Sequence, residues 1–171
     1  MKYVFGVDIG GTTVKLGFFD TEGNILEKWE IPTRKELGGK YILPDIAESI
    51  TNLLMEKGIE KKDVAGVGVG VPGPVDADGV VFKAVNLGWD IFSVSNTLSD
   101  LINLPVKAGN DANVAALGEM WKGGGKGHDD LVAVTLGTGV GGGIIVQGKL
   151  LAGATGAGGE IGHIHVEDNE T

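Results

Sequence analysis

Tyr3-Val4-Phe5-Gly6-Val7-Asp8-Ile9 runs into Gly10-Gly11-Thr12-Thr13, and Val14-Lys15-Leu16-Gly17-Phe18-Phe19 follows. The two apolar stretches, 3–9 and 14–19, have strand composition and lie either side of a tight glycine turn, which predicts a hairpin. Glycines between strands let backbone N–H groups approach an anion, and Thr12, Thr13 and Lys15 add hydroxyl and ammonium donors. Asp8, at the end of a buried strand, is placed to hold a Mg²⁺-bound water beside a phosphate. The stretch is neither a Walker A loop nor a GxGxxG turn leading into a helix. An ordinary tight hairpin would use the same glycines, so the segment alone leaves both readings open.

Working outward, 25–31 (ILEKWEI) alternates at period two and predicts a third antiparallel strand, with Pro32–Lys40 a polar loop. Ile42, Leu43, Ile46, Ile50, Leu53 and Leu54 fall at helical spacing over 41–57, and Gly58 is a candidate C-cap. Val64–Val71 is a short buried strand, so helix and strand together make an α/β crossover back to the same sheet. A minor hairpin near 75–82, a helix near 95–103 and a short strand at 106–108 follow. Asn110-Asp111-Ala112-Asn113 opens a helix to about Lys122, and the glycine-rich, charged stretch 123–129 is the best boundary candidate. Beyond it come a strand at 131–136, a glycine loop at 137–143 and a returning strand at 144–146. This strand–glycine turn–strand device resembles the opening one and suggests two phosphate-handling loops. The domain expectation is an α/β lobe at 1–122, a hinge or linker at 123–130, and the incomplete start of a second lobe at 131–171. The chain reads as a fragment or a truncated product, because a sheet begun at 131 needs more elements to cover it.

Composition narrows the function classes. The 171 residues carry 14 Lys and Arg against 23 Asp and Glu, a net charge of −9, with 42% hydrophobic and 22% charged residues. That balance is globular rather than disordered, and its sign argues against nucleic acid or anionic membrane as partners. No apolar run is long enough to span a bilayer, and no signal-peptide pattern precedes the first strand, so the cytoplasm is expected. With no cysteine, a disulfide framework, a thiol nucleophile and a complete Cys-based metal site are excluded within these residues. Glycine stands out: 31 residues, against a usual share of about 7%, without a Gly-X-Y period.

Five glycines in Gly137-Thr138-Gly139-Val140-Gly141-Gly142-Gly143 exceed what a hairpin needs, so something requires bare backbone there. Nucleotide phosphate is the first candidate and close strand packing the alternative. In Asn110-Asp111-Ala112-Asn113, one polar side chain would suffice as an N-cap. Asp111 could instead be a general base toward a substrate hydroxyl in phosphoryl transfer. Glu160 and His163, three apart after another glycine run, could hold adjacent hydroxyls of a polyol. His163 could equally be a metal ligand, with His165 the only neighbouring ligand type, or a packed loop histidine. Gly70-Val71-Pro72-Gly73-Pro74 is a rigid turn, and Trp89, in Asn86-Leu87-Gly88-Trp89, is either a platform or a core residue.

Taken in order, these segments resemble the ROK family of sugar kinases and related repressors, most closely its bacterial glucokinases. Asp8–Lys15 resembles the family's DxGGTxxK phosphate motif. Val71–Val75 and Asn86–Trp89 resemble two active-site turns, and Asn110–Asn113 the NDAN segment whose Asp is the catalytic base. Gly137–Gly143 resembles the second phosphate loop, and Gly159–His163 the sugar-binding motif. The match covers essentially the whole chain and about the first half of a typical member.

The resemblance implies an actin-like ATPase (ribonuclease H-like) α/β fold, with one complete lobe and the opening strands of a second. It implies ATP-dependent phosphorylation of a hexose at the 6-hydroxyl, glucose foremost, with Asp111 as base and Gly73, Asn86, Asn110, Asp111, Glu160 and His163 on the sugar. ATP and Mg²⁺ would be held by Asp8, Gly10, Gly11, Thr12, Thr13, Lys15, Thr138, Gly139, Gly141 and Gly142. It also implies that His163 is one ligand of a structural zinc whose cysteine ligands this chain lacks, and that members assemble as dimers or tetramers. The alternatives are a sugar-responsive repressor of the same family and a non-catalytic sugar-binding fragment. The first strand begins by Tyr3 and the charge is wrong for DNA, which weighs against the repressor.

Overall fold

The computed structural model describes residues 2–137, 139–153, 156 and 158–165. The chain divides into two compact units, Met1–Asp111 and Ala112–Thr171. In the first, strands β1 (Tyr3–Ile9), β2 (Thr13–Asp20) and β3 (Ile25–Pro32) form an antiparallel meander. A short turn α1 (Glu36–Gly39) and helix α2 (Ile42–Lys57) lead to β4 (Val64–Val71), which pairs parallel with β1. Small strands β5 (Val80–Val81) and β6 (Phe92–Ser93) pair with each other. Helix α3 (Val94–Ile102) and β7 (Val106–Asn110), parallel to β4, complete a mixed sheet of order β3-β2-β1-β4-β7.

Period-two alternation decides which face is the core. Phe5, Val7, Ile9, Val14, Leu16, Phe18, Val67, Val69 and Val71 are buried, as are Ile42, Ile46 and Ile50 of α2 and Val94, Leu98 and Ile102 of α3. Each such aliphatic side chain contributes about 1.5–3 kcal/mol on burial. Phe18 lies between Tyr3 and Phe5, with ring centroids 4.9 and 5.0 Å away. On the opposite face Gly6 sits opposite Gly17 of β2 and Gly68 of β4, and the Phe19 ring covers Gly6 and Gly17.

Local chemistry sets the ends of α2. Pro44 falls within the first turn, where a missing N–H costs nothing. Gly58 takes the left-handed conformation (φ 64°) and donates to the Leu54 and Met55 carbonyls, while the Ile59 N–H reaches Leu54 O at 2.9 Å, a Schellman ending. For α3, Ser93 Oγ accepts the Asn96 N–H, and Asn103 ends the helix at φ 52°.

The second unit holds most of helix α4 (Asp111–Lys122) and a three-stranded antiparallel sheet: β8 (Leu131–Leu136), β9 (Val140–Val146) and β10 (Lys149–Leu150), in the order β10-β9-β8.

Two expectations need correction. The stretch 137–143 is not one loop: pairing already begins at Leu136 with Val140, and Gly141, Gly142 and Gly143 lie in β9, paired with Thr135, Val134 and Ala133. A Cβ at Gly143 would sit 2.5 Å from Ala116 Cβ and 2.8 Å from Ala112 O, so Gly141 and Gly143 let α4 lie directly on the strand, while Gly142 faces Gly159 and Ile161. Nor is 32–40 simply a polar loop. Pro32 belongs to β3, and Leu37, Gly38 and Gly39 form a left-handed turn (φ 53°, 72° and 68°). Gly39 is buried there against Leu87 O and the Trp89 indole.

Candidate active site

The parallel strands β1, β4 and β7 end side by side, and Asp8, Asn110 and Asp111 fall at those carboxyl ends, where α/β sheets commonly bind ligands. Asp8 is in register with Gly70, Gly70 with Gly109, and Val71 with Asn110. Asp111 follows as the first residue of α4. A Cβ built on Gly70 would lie 3.6 Å from Asp111 Cα and 3.8 Å from Asp8 Oδ1. The bare residue at 70 therefore borders both acidic positions and keeps the space beside them open. On the other side of Asp8, Lys15 is its register partner on β2; both are exposed.

The glycine turn is shaped from within. Gly10 N–H donates to Thr13 O at 3.0 Å, so it is engaged inside the turn. Thr33, just past β3, closes the turn with two bonds: its N–H to Thr12 O (3.0 Å) and its Oγ1–H to Gly10 O (2.7 Å). At Gly11 a Cβ would meet nothing within 4 Å.

Asn110, 7% exposed, donates through Nδ2 to Gly73 O at 3.1 Å. Gly73 has φ 120°, and a Cβ there would strike Lys83 O at 2.6 Å. Asn86 is exposed on a turn pinned by reciprocal Ala84–Trp89 backbone bonds of 3.1 Å. Trp89 is a core residue: it is buried, packs edge-on against Phe92, and donates its indole N–H to Gly39 O at 3.2 Å.

In the second unit, Gly137 N–H donates to Gly139 O at 3.0 Å, while Thr138 lies outside the described residues. The segment carrying Glu160 and His163 is laid on β9. Cβ atoms would meet Gly159 O at 2.5 Å from Gly142, and Val140 O at 2.1 Å from Gly162. Gly141 meets Thr135 Oγ1 at 2.5 Å and Ala112 Cβ at 3.1 Å in the same sense. Glu160 Oε2 and His163 Nε2 stand 3.7 Å apart on a 3₁₀ turn, with the His163 side chain 86% exposed. Among the described residues no group of three or more His, Cys, Asp or Glu is placed to hold a metal. The donors among the described residues therefore do not make up a closed zinc site, which takes four ligands.

The site roles of Thr33 and Gly70 escaped the sequence reading. Thr33 sat within a stretch read as polar loop, and the role of Gly70 depends on register across three strands; neither carries a local signal.

The fold is thus an α/β sugar-kinase fold built on a mixed sheet. The ROK family model matches residues 4–171, and the chain belongs to that family. It is 48% identical to the glucokinase of Halalkalibacterium halodurans, over 96% of this chain and 50% of that protein. It is 39% identical to the glucokinase of Thermotoga maritima, over 97% and 51%. The crystal structure of a ROK family glucokinase from Streptomyces griseus, in complex with glucose and AMPPNP, superposes with a TM-score of 0.84 at 38% identity, covering 96% of this chain and 51% of that one. The chain spans about half the length of the curated relatives it matches.

Proposed function

We propose that this chain carries the base and first phosphate turn of an ATP-dependent hexokinase that phosphorylates the 6-hydroxyl of a hexose, glucose foremost. The observation that carries the reading is the placement of Asp8 and Asp111 at neighbouring strand ends beside Gly70, with the glycine turn continuing directly from β1. The glucokinase relatives, one solved with glucose and a nucleotide analogue, support the choice of substrates.

The chemistry follows from the residues. Asp111 accepts the proton of the 6-hydroxyl as that oxygen attacks the γ-phosphorus. The new O–P bond forms as the bond to the β-phosphate oxygen breaks, and ADP leaves with that electron pair. Asn110, held by Gly73, Asn86 on its pinned turn, and Glu160 with His163 are the proposed hexose contacts. Gly11 N–H, Thr12, Thr13 and Lys15, with Thr138 and Gly139, are assigned to the phosphates; Gly141 and Gly142, being strand residues packed against Ala112 and Ile161, are assigned to shaping the second turn. In this role Gly10 shapes the turn, since its own N–H is engaged with Thr13. A lone exposed carboxylate such as Asp8 fits a Mg²⁺ ion held mainly by phosphate oxygens, directly or through water. When bound, Mg²⁺ neutralises charge on the transferring phosphoryl group. In the whole protein, His163 is the proposed zinc ligand, with partners from beyond this chain.

At the level of fold, we assign the actin-like ATPase (ribonuclease H-like) type. Both β1-β2-β3 and β8-β9-β10 are antiparallel meanders opened by a glycine turn, which supports two lobes of common design. The proposed lobes are 1–122 and the segment from 131, joined at 123–130; compactness alone sets the division at Asp111.

The test is ADP release from Mg-ATP across a panel of hexoses, with Asp111→Asn alongside. The expected result is hexose-dependent release that falls by about 10²–10⁴-fold in the variant. Release indifferent to both sugar and Asp111 would sink the assignment.

A further inference from the structure

Thr33 bonds both arms of the Gly10–Thr13 turn at once: Thr12 O on the β2 side through its N–H, and Gly10 O on the β1 side through its hydroxyl. The second bond has a geometric consequence. A trans peptide unit is planar, with its C=O and N–H pointing in opposite directions. Drawing the Gly10 carbonyl toward Thr33 therefore turns the Gly11 N–H away from Thr33, at a residue where even an added Cβ would meet nothing within 4 Å. Glycine at both 10 and 11 leaves this peptide easy to rotate, so an external tie is needed to hold one orientation. Thr33 is 9% exposed, and its hydroxyl is spent on this bond.

We infer that Thr33 is a positioning residue that fixes the Gly11 N–H as a pre-aimed phosphate donor. The inference rests on the reading of this turn as a phosphate loop. Thr33 does not itself touch the nucleotide; its effect passes through one peptide plane. Pre-orientation matters because a donor that must rotate at the moment of binding gives back part of its interaction energy.

The test compares the full chain with Thr33→Val, which keeps shape and main-chain bond but loses the hydroxyl, and Thr33→Ser, which keeps the hydroxyl. Mg-ATP and glucose are titrated separately, and the Gly11 amide is followed by ¹⁵N NMR. The expected result is that Thr33→Val moves the free Gly11 amide resonance and weakens Mg-ATP by about tenfold or more. Glucose affinity should stay unchanged, and Thr33→Ser should restore both nucleotide affinity and the Gly11 signal. Mg-ATP binding by Thr33→Val at wild-type strength would overturn the proposal. So would equal weakening of both ligands with the Gly11 amide unmoved, the pattern of a purely structural threonine. If the wild-type chain shows no response to Mg-ATP at Gly11, the phosphate reading of the turn fails, and the role of Thr33 falls with it.

Discussion

Asp20 shows how one side chain can set a turn and make it sensitive to acid. Its carboxylate accepts the Asn24 side-chain amide at 2.7 Å and the N–H groups of Asn24 and Glu22 at 2.9 Å, closing the β2–β3 connection. These bonds, the Asn24 side chain first, hold the Asp20 carboxyl below its ordinary value, because each favours the charged form. A depressed carboxylate contributes stability above its unfolded value of about 3.9, and that contribution is lost as pH falls through the lower folded value. Asp20→Asn should therefore be less stable than the wild type in urea at pH 7, with the gap narrowing as pH falls below about 4. A gap that persists at pH 3 would place the stabilisation elsewhere.

At the scale of elements, β9 shows what periodicity misses. The meander of β1 to β3, α2 with its Gly58 ending, and β4 were legible because apolar residues at spacing 2 or 3.6 mark which face is buried. Gly141–Gly143 have no side chains to alternate, so their strand is defined only by its partners β8 and α4. The left-handed turn at 37–39 was illegible for a similar reason: it is held by Leu87 and Trp89, far along the chain. The contact at β9 can be tested directly. Gly143→Ala forces a methyl against Ala116 and the Ala112 carbonyl, and should cost about 1–3 kcal/mol, with faster hydrogen exchange in α4. Gly139→Ala, where a Cβ would meet nothing within 4 Å, should stay within about 0.5 kcal/mol of wild type. Equal effects would mean that the glycine strand is not where α4 rests.

For the whole molecule, charge is the dominant global property. Lys57–Glu27 and the Arg34–Asp45 pair, with Arg34 Nε 2.7 Å from Asp45 Oδ2, are local exceptions in a chain of 23 acidic and 14 basic residues. Exposed pairs contribute only about 0–1 kcal/mol each, so net repulsion outweighs them. Raising salt from 0.01 to 0.15 M shortens the screening length from about 30 to about 8 Å, and the urea midpoint should rise at pH 7. A falling midpoint would mean that the ion pairs matter more than the excess of carboxylates. The site was legible unevenly at this scale. Asp8 and Asp111 sit in recognisable motifs, whereas their common border on Gly70 arises only once three strands are aligned.

The stretch from Thr33 to Gly39 is fastened at both ends, to the Gly10 turn by the Thr33 hydroxyl and to the Asn86 turn by the Trp89 indole. Mechanically it is a tie-bar between the part of the lobe assigned to phosphate and the part assigned to sugar. While both fastenings hold, displacement of one turn is either absorbed by backbone rotation at Gly38 and Gly39 or passed to the other. The left-handed glycines thus set how much of a movement at one turn is felt at the other.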